Sequence, residues 1–266
     1  MEQIRVTKDV INHELVTSES LSHCIMISVH SYKRGNGSSI ITANLAAQVA
    51  LTGKRVAIVD TDIQSPGIHA FFGLDGENMG KTLNDFLYGR CEIGEVALSI
   101  GDNIIDAPGR SKLSGAKLWL IPSSTSGIEI SHVLLKGYDV GLLNEGLQTL
   151  LEVLDLDYLF IDTHPGLKEE TLLSIAISDV LVLLLGPDKQ DLQGTAITID
   201  IARNLGVPNL LLAVNKSLSR YDPVVVKNDI EALFDAPVAG VMPFSEDIVE
   251  NDSTDLFSLK EPNHPW

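Results

Sequence analysis

Tyr32-Lys33-Arg34-Gly35-Asn36-Gly37-Ser38-Ser39 joins an apolar run, Cys24 to Val29, to a helix-like segment that begins at Ile40. A strand, a glycine loop and a helix in that order make an anion cradle. Glycines let successive backbone N–H groups converge, and the helix N-terminus adds partial positive charge. In the phosphate-binding pattern G-x-x-x-x-G-K-S/T, Gly37 takes the last glycine and Ser39 the hydroxyl that ligates magnesium. Ser38 stands in the lysine position. Taken alone, the loop is equally compatible with a plain tight turn.

Two further segments carry acids. Val56-Ala57-Ile58-Val59-Asp60-Thr61-Asp62 is an apolar strand that ends in two carboxylates two residues apart. Alternation sends both to one side, and the carboxyl end of a strand faces the crevice where open α/β sheets bind ligands. Leu159-Phe160-Ile161-Asp162-Thr163-His164-Pro165-Gly166 repeats the design. An aspartate after an apolar strand can face magnesium or its water across a dry floor. Exposed acids at strand ends are the bland alternative. His164 reads as a partly exposed loop residue, and His23, His30, His69, His132 and His264 show no zinc-ligand spacing.

Elements must position these groups. Strand-length apolar runs recur at Cys24–Val29, Val56–Val59, Leu118–Ile121, Tyr158–Ile161, Val180–Leu185, Leu210–Val214 and Val238–Val241, most followed by helix-like segments. Continuous rather than alternating runs indicate strands covered on both faces. Ile40–Leu51 and Val140–Leu154 read as packed amphipathic helices, Pro223 as a helix start and Gly206 as a helix stop. The expectation is one α/β domain over residues 21–266, a mainly parallel twisted sheet with helices on both faces. Residues 1–20 form an N-terminal extension.

Composition narrows the function. The 266 residues are 44% hydrophobic and carry a net charge of −17, from 19 basic and 36 acidic residues. That balance opposes non-specific attraction to DNA or anionic lipid. No apolar run is long enough to span a bilayer, and residues 1–20 lack a secretion signal, so the expected location is cytoplasmic. The two cysteines, Cys24 and Cys91, form no metal motif, and Cys24 reads as a reduced, buried thiol.

The loop at Lys33, the segments Asp60–Gln64 and Asp162–Gly166, and Val214-Asn215-Lys216 with Val241-Met242-Pro243-Phe244 resemble, in order, the motifs of the deviant P-loop ATPases of ParA and MinD type. The stretch Leu256–Pro265 is similar to the MinD side of that group. The resemblance implies a P-loop fold, ATP or ADP with Mg2+ as ligands, and a homodimer formed with ATP. By the same resemblance Lys33 reaches the partner subunit's phosphates, while Arg34, Gly35, Asn36, Gly37, Ser38, Ser39 and Ile40 surround the subunit's own. Ser39, Asp60 and Asp162 serve magnesium, the aspartates through water, and Asp62 positions the attacking water. Pro165 and Gly166 belong to the γ-phosphate-sensing segment. Asn215, Lys216, Pro243 and Phe244 hold the base. The family has glycine at the position of Arg34 and lysine at that of Ser38, so turnover is expected to suffer.

Two functions follow. One is a nucleotide-dependent dimerising switch with slow or partner-stimulated hydrolysis, acting in cargo positioning, partitioning or cell-division regulation with an unidentified protein cargo or activator. The other is a non-catalytic nucleotide-binding scaffold. Iron–sulfur carriers and the related reductases need paired cysteine ligands, and tyrosine autokinases of this fold need a tyrosine-rich tail. The chain shows neither feature. MinD-type relatives attach to bilayers by a basic C-terminal helix, which the residues present do not support. Phe257 and Trp266 read as packing groups.

Overall fold

The computed structural model describes residues 24–102, 107–251 and 253–266. The N-terminal extension expected over residues 1–20 lies outside the described residues. Seven apolar runs form the parallel strands β1 (Ile25–Ser31), β2 (Val56–Asp60), β4 (Leu118–Ile121), β5 (Tyr158–Asp162), β6 (Val180–Leu185), β7 (Asn209–Ser217) and β8 (Val238–Pro243). A two-residue strand, β3 (Leu98–Ser99), was not anticipated; it pairs antiparallel with β4 at the sheet edge. Two residues with half-buried side chains carry no periodic signal. The strand order is β3-β4-β2-β5-β1-β6-β7-β8.

Alternate residues of each strand feed different cores. Ile58 and Phe160 pack in one apolar cluster, whereas Ala57, Val59, Leu159 and Ile161 pack in another on the opposite face. This is why the runs read as continuous. The helices are α1 (Ser38–Leu51), α2 (Leu83–Leu87), α3 (Gly127–Lys136), α4 (Val140–Val153), α5 (Glu169–Ile177), α6 (Lys189–Leu205), α7 (Pro223–Phe234), α8 (Glu246–Glu250) and α9 (Phe257–Lys260). Pro223 opens α7 behind an Asp222 cap, and Gly206 closes α6 in the left-handed conformation, as expected.

One helix departs from its reading. α1 is not a one-sided amphipathic helix: it buries Thr42 and Asn44 along with its alanines, while Leu45 and Leu51 stay partly exposed. The cause is tertiary. The backbone N–H of Ser258 in α9 donates to Asn44 Oδ1 at 2.8 Å, so a polar side chain is needed on a covered face.

β1 lies between β5 and β6, and crossovers wind away from it in opposite directions. The crevice at such a switch point, beyond the strand's carboxyl end, is where open sheets take ligands. Here it receives the glycine loop. No helix among the described residues is long and apolar enough to cross a membrane.

Candidate nucleotide site

The loop leaves β1 through Gly35 (φ +87°) and Gly37 (φ +91°), both in the left-handed region that disfavours a side chain. A Cβ on Gly37 would lie 2.8 Å from Asn215 Nδ2. Gly37 precedes α1 and no side chain caps that helix, so its first N–H groups remain available to an anion. The position of the pattern's first glycine holds Tyr32, a second departure that the sequence reading passed over. Its ring packs so closely on α6 that a Cβ at Gly194 would come within 2.0 Å of it.

Neighbouring elements fasten the loop. Asn215 Nδ2 donates to Asn36 O at 2.8 Å, and Lys216 Nζ donates to Gly35 O at 2.6 Å. Both side chains come from an irregularity in β7, where the register with β8 shifts between Val214 and Ser217 and Lys216 has φ +58°. A bulge of this kind re-aims a side chain. From the other side, Asn36 Nδ2 donates to Asp191 Oδ2 at 2.7 Å, and Lys33 Nζ to Asp188 Oδ2 at 2.7 Å. Asp188 also caps α6 by accepting from Asp191 N.

Asp60 and Asp162 are register partners at the ends of β2 and β5, and both are fully buried. Burial, then repulsion from Asp162 and Asp62, holds the Asp60 carboxyl well above the usual range. Burial pushes Asp162 up to about 7, opposed by a hydrogen bond from the Ser39 hydroxyl. The Thr42 hydroxyl donates to Ser38 O at 2.8 Å and shares that proton with Asp162 Oδ1 at 3.3 Å. Asp62 is pushed up to about 6 by burial, with the Arg34 charge pulling it back. Arg34 Nη2 stands 4.0 Å from Asp62 Oδ2.

His164 corrects its sequence reading. It is buried rather than partly exposed, because Thr163 turns the chain inward by donating its hydroxyl to Val29 O. His164 Nδ1 lies 3.1 Å from Asp62 Oδ1 without hydrogen-bond alignment. Burial, followed by the charges of Lys168 and Arg34, lowers its pKa to about 4, so the ring is neutral.

A cleft of about 370 Å³ runs from Arg34, Ser38, Ser39 and Asp62 past Pro165 to Asn215, Lys216, Pro243, Phe244 and Trp266. Gly35, Gly37 and Ile40 also line it, whereas Lys33 and Asn36 do not; their side chains turn to α6. Asp60 and Asp162 sit behind Ser39. The sequence reading missed Thr42, Asp188 and Asp191, which belong to no motif and act through tertiary contacts.

An uncapped helix behind a glycine loop at the switch strand, with a hydroxyl and two buried acids beside it, defines a P-loop nucleotide-binding fold. The sequence matches the AAA_31 family, an AAA domain, over residues 24–210. The chain belongs to that family. It is 27% identical over 219 residues to an uncharacterized ATP-binding protein of Methanocaldococcus jannaschii, covering 82% of this chain and 74% of that protein. It is 26% identical to an iron–sulfur cluster carrier protein of Saccharolobus solfataricus, covering 90% and 78%. The septum site-determining protein MinD of Pyrococcus horikoshii, solved with Mg-ADP, superposes with a TM-score of 0.73 at 19% identity over 91% of each chain. The fold is therefore the one that MinD adopts.

Proposed function

We propose that the protein binds ATP and ADP with magnesium and works as an ATP-governed, dimerising switch with slow or partner-stimulated hydrolysis. Its role would lie in positioning or partitioning a cargo or in regulating division. The observation that carries this reading is the convergence of the uncapped α1 N-terminus, the Ser39 hydroxyl and the buried Asp162 and Asp60. A hydroxyl backed by buried acids suits magnesium, which binds through few protein oxygens and keeps several waters. When bound, the ion would neutralise part of the phosphate charge. Ser39 would hold it, Asp60 and Asp162 its waters, and Asp62 the attacking water. The loop and α1 would take the phosphates, and Asn215, Lys216, Pro243 and Phe244 the base.

Charge at the cleft favours Arg34 as the substitute for the absent lysine. Among the described residues that line the cleft, the Lys and Arg side chains are Arg34 and Lys216, and Lys216 is engaged by Gly35 O. Lys33 is held by Asp188. Arg34 thus offers its charge in cis, while Lys33 is released to a partner subunit only when its contact with Asp188 opens.

Calorimetry with Mg-ATP and light scattering of wild type and Lys33→Ala test the reading together. Saturable binding is expected, with a dimer in ATP that Lys33→Ala abolishes. No binding up to millimolar ligand refutes the nucleotide site, and a monomer in both proteins refutes the dimer. A non-catalytic scaffold is the second reading, favoured by Ser38, and binding without turnover would establish it. A cluster-carrying role is disfavoured by Cys24, whose thiol is buried and pushed up to about 12 by that burial and by the charges of Asp179 and Asp157.

A further inference from the structure

The cleft has an aromatic wall that no motif accounts for. Trp266 is half-buried and faces the cleft beside Asn215 and Pro243. Three contacts fix it. Its ring meets buried Phe257 edge-to-face, with centroids 5.8 Å apart and planes at 83°. Its backbone N–H donates to His264 Nδ1 at 3.1 Å, and the His264 ring packs on Phe257 at 4.9 Å. Its indole Nε1 approaches Asn215 Oδ1 at 3.5 Å, the long limit of a hydrogen bond.

We infer that Trp266 is a base-stacking residue: its indole forms one wall of the base pocket and steadies the Asn215 amide that faces the base. The inference rests on the nucleotide reading above and adds a residue to it. Trp266 packs in part against the apolar cluster that includes Ile41 and Leu259, and it is only half-buried there. Here an edge-to-face pair leaves at least one face of the indole free of Phe257, in a cleft with room for a planar ligand.

The Asn215 amide is oriented from three sides. Its Nδ2 donates to Asn36 O, and its Oδ1 accepts from Lys216 N at 2.8 Å and from the indole. One Nδ2 hydrogen is left for the base, because a primary amide nitrogen carries two. A rigid aromatic plane beside a fixed amide is a preorganised site, which lowers the ordering cost of binding. Aromatic stacking on a nucleobase is worth about 5- to 150-fold in affinity.

The test uses the full chain with Trp119→Phe, which leaves Trp266 as the sole indole. Trp119 lies on β4 under Arg55, with the cation 5.2 Å from its ring, and does not line the cleft. Mg-ATP is expected to change Trp266 emission with the same midpoint that calorimetry gives. Trp266→Ala is expected to weaken ATP and ADP alike, by about fivefold or more, while inorganic tripolyphosphate, which has no base, binds as in wild type. Trp266→Phe, which keeps a ring and guards against a folding defect, is expected to retain most of the affinity. Unchanged emission and unchanged ATP affinity in Trp266→Ala, with wild type binding ATP normally, overturn the inference and leave the nucleotide site standing. Equal loss of ATP and tripolyphosphate also overturns it, since the defect would then be global. If wild type binds no nucleotide, both fall.

Discussion

Asn36→Ala should unfasten the loop from α6 at a cost that can be worked out from the contacts. Asp191 is fully buried, and its Oδ2 accepts from Gly186 N and from Asn36 Nδ2, the latter at 2.7 Å. Its Oδ1 has no partner, so the carboxylate depends on those two donors. Hydrogen bonds to charged groups contribute about 1.5–3 kcal/mol. At about 2–4 °C per kcal/mol for a chain of this size, the melting temperature should fall by about 3–12 °C. The backbone acceptor Asn36 O survives the substitution, so its bond from Asn215 stays. A double-mutant cycle with Asp191→Ala, read by thermal or urea denaturation, should give a coupling of about 1–2 kcal/mol. The unpaired Gly186 N–H left by Asp191→Ala is common to the single and double variants and cancels. A coupling below about 0.5 kcal/mol would refute the claim that this pair fastens the loop.

Ser38→Lys should raise ATP turnover by about tenfold or more in a phosphate-release assay, because a cation at the γ oxygens is restored. The gain should be larger in Arg34→Ala than in wild type, and equal gains would remove Arg34 from the charge balance. Asp188→Asn keeps the cap on α6, since asparagine caps as well as aspartate, but frees Lys33 of its charge partner. More dimer in ATP at a given concentration is expected by light scattering, with no change in ADP; an unchanged dimer fraction would show that Asp188 does not restrain Lys33. Saturating ATP, at about 100 times its Kd, should stabilise the protein by about 2.7 kcal/mol, and chelation of magnesium should remove most of that gain. In Asp60→Asn the part of the thermal shift that depends on magnesium should shrink, and an undiminished difference would remove Asp60 from the metal site.

The fold was legible because each long strand contains a mainly apolar run, and burial on both faces leaves few other uses for such a run. The acids were legible for a related reason: Asp60 and Asp162 follow buried strands directly, so their depth is set by the strand itself. What could not be read was held by distance in sequence. Asp188 and Asp191 meet the loop across 155 residues, and α9 covers α1 across 214. The burial of His164 follows from a threonine hydroxyl reaching β1, which no local pattern encodes. Tyr32 escaped notice because its tolerance depends on a glycine in α6.

The fastening of the loop separates its shape from its chemistry. Residue 38 contributes nothing to the contacts from Asn215, Lys216 and Asp191 that hold residues 35 and 36. In most phosphate loops one lysine is expected to serve as the working charge, and its replacement is felt at once in activity. In this chain the contacts that fasten residues 35 and 36 are made without the side chain at 38, so a change of charge there leaves those contacts in place. On the proposed nucleotide reading, a single substitution at 38 would then change the charge at the phosphates without undoing the fastening of the loop. The same scaffold would then serve as a timer at one setting and a latch at the other.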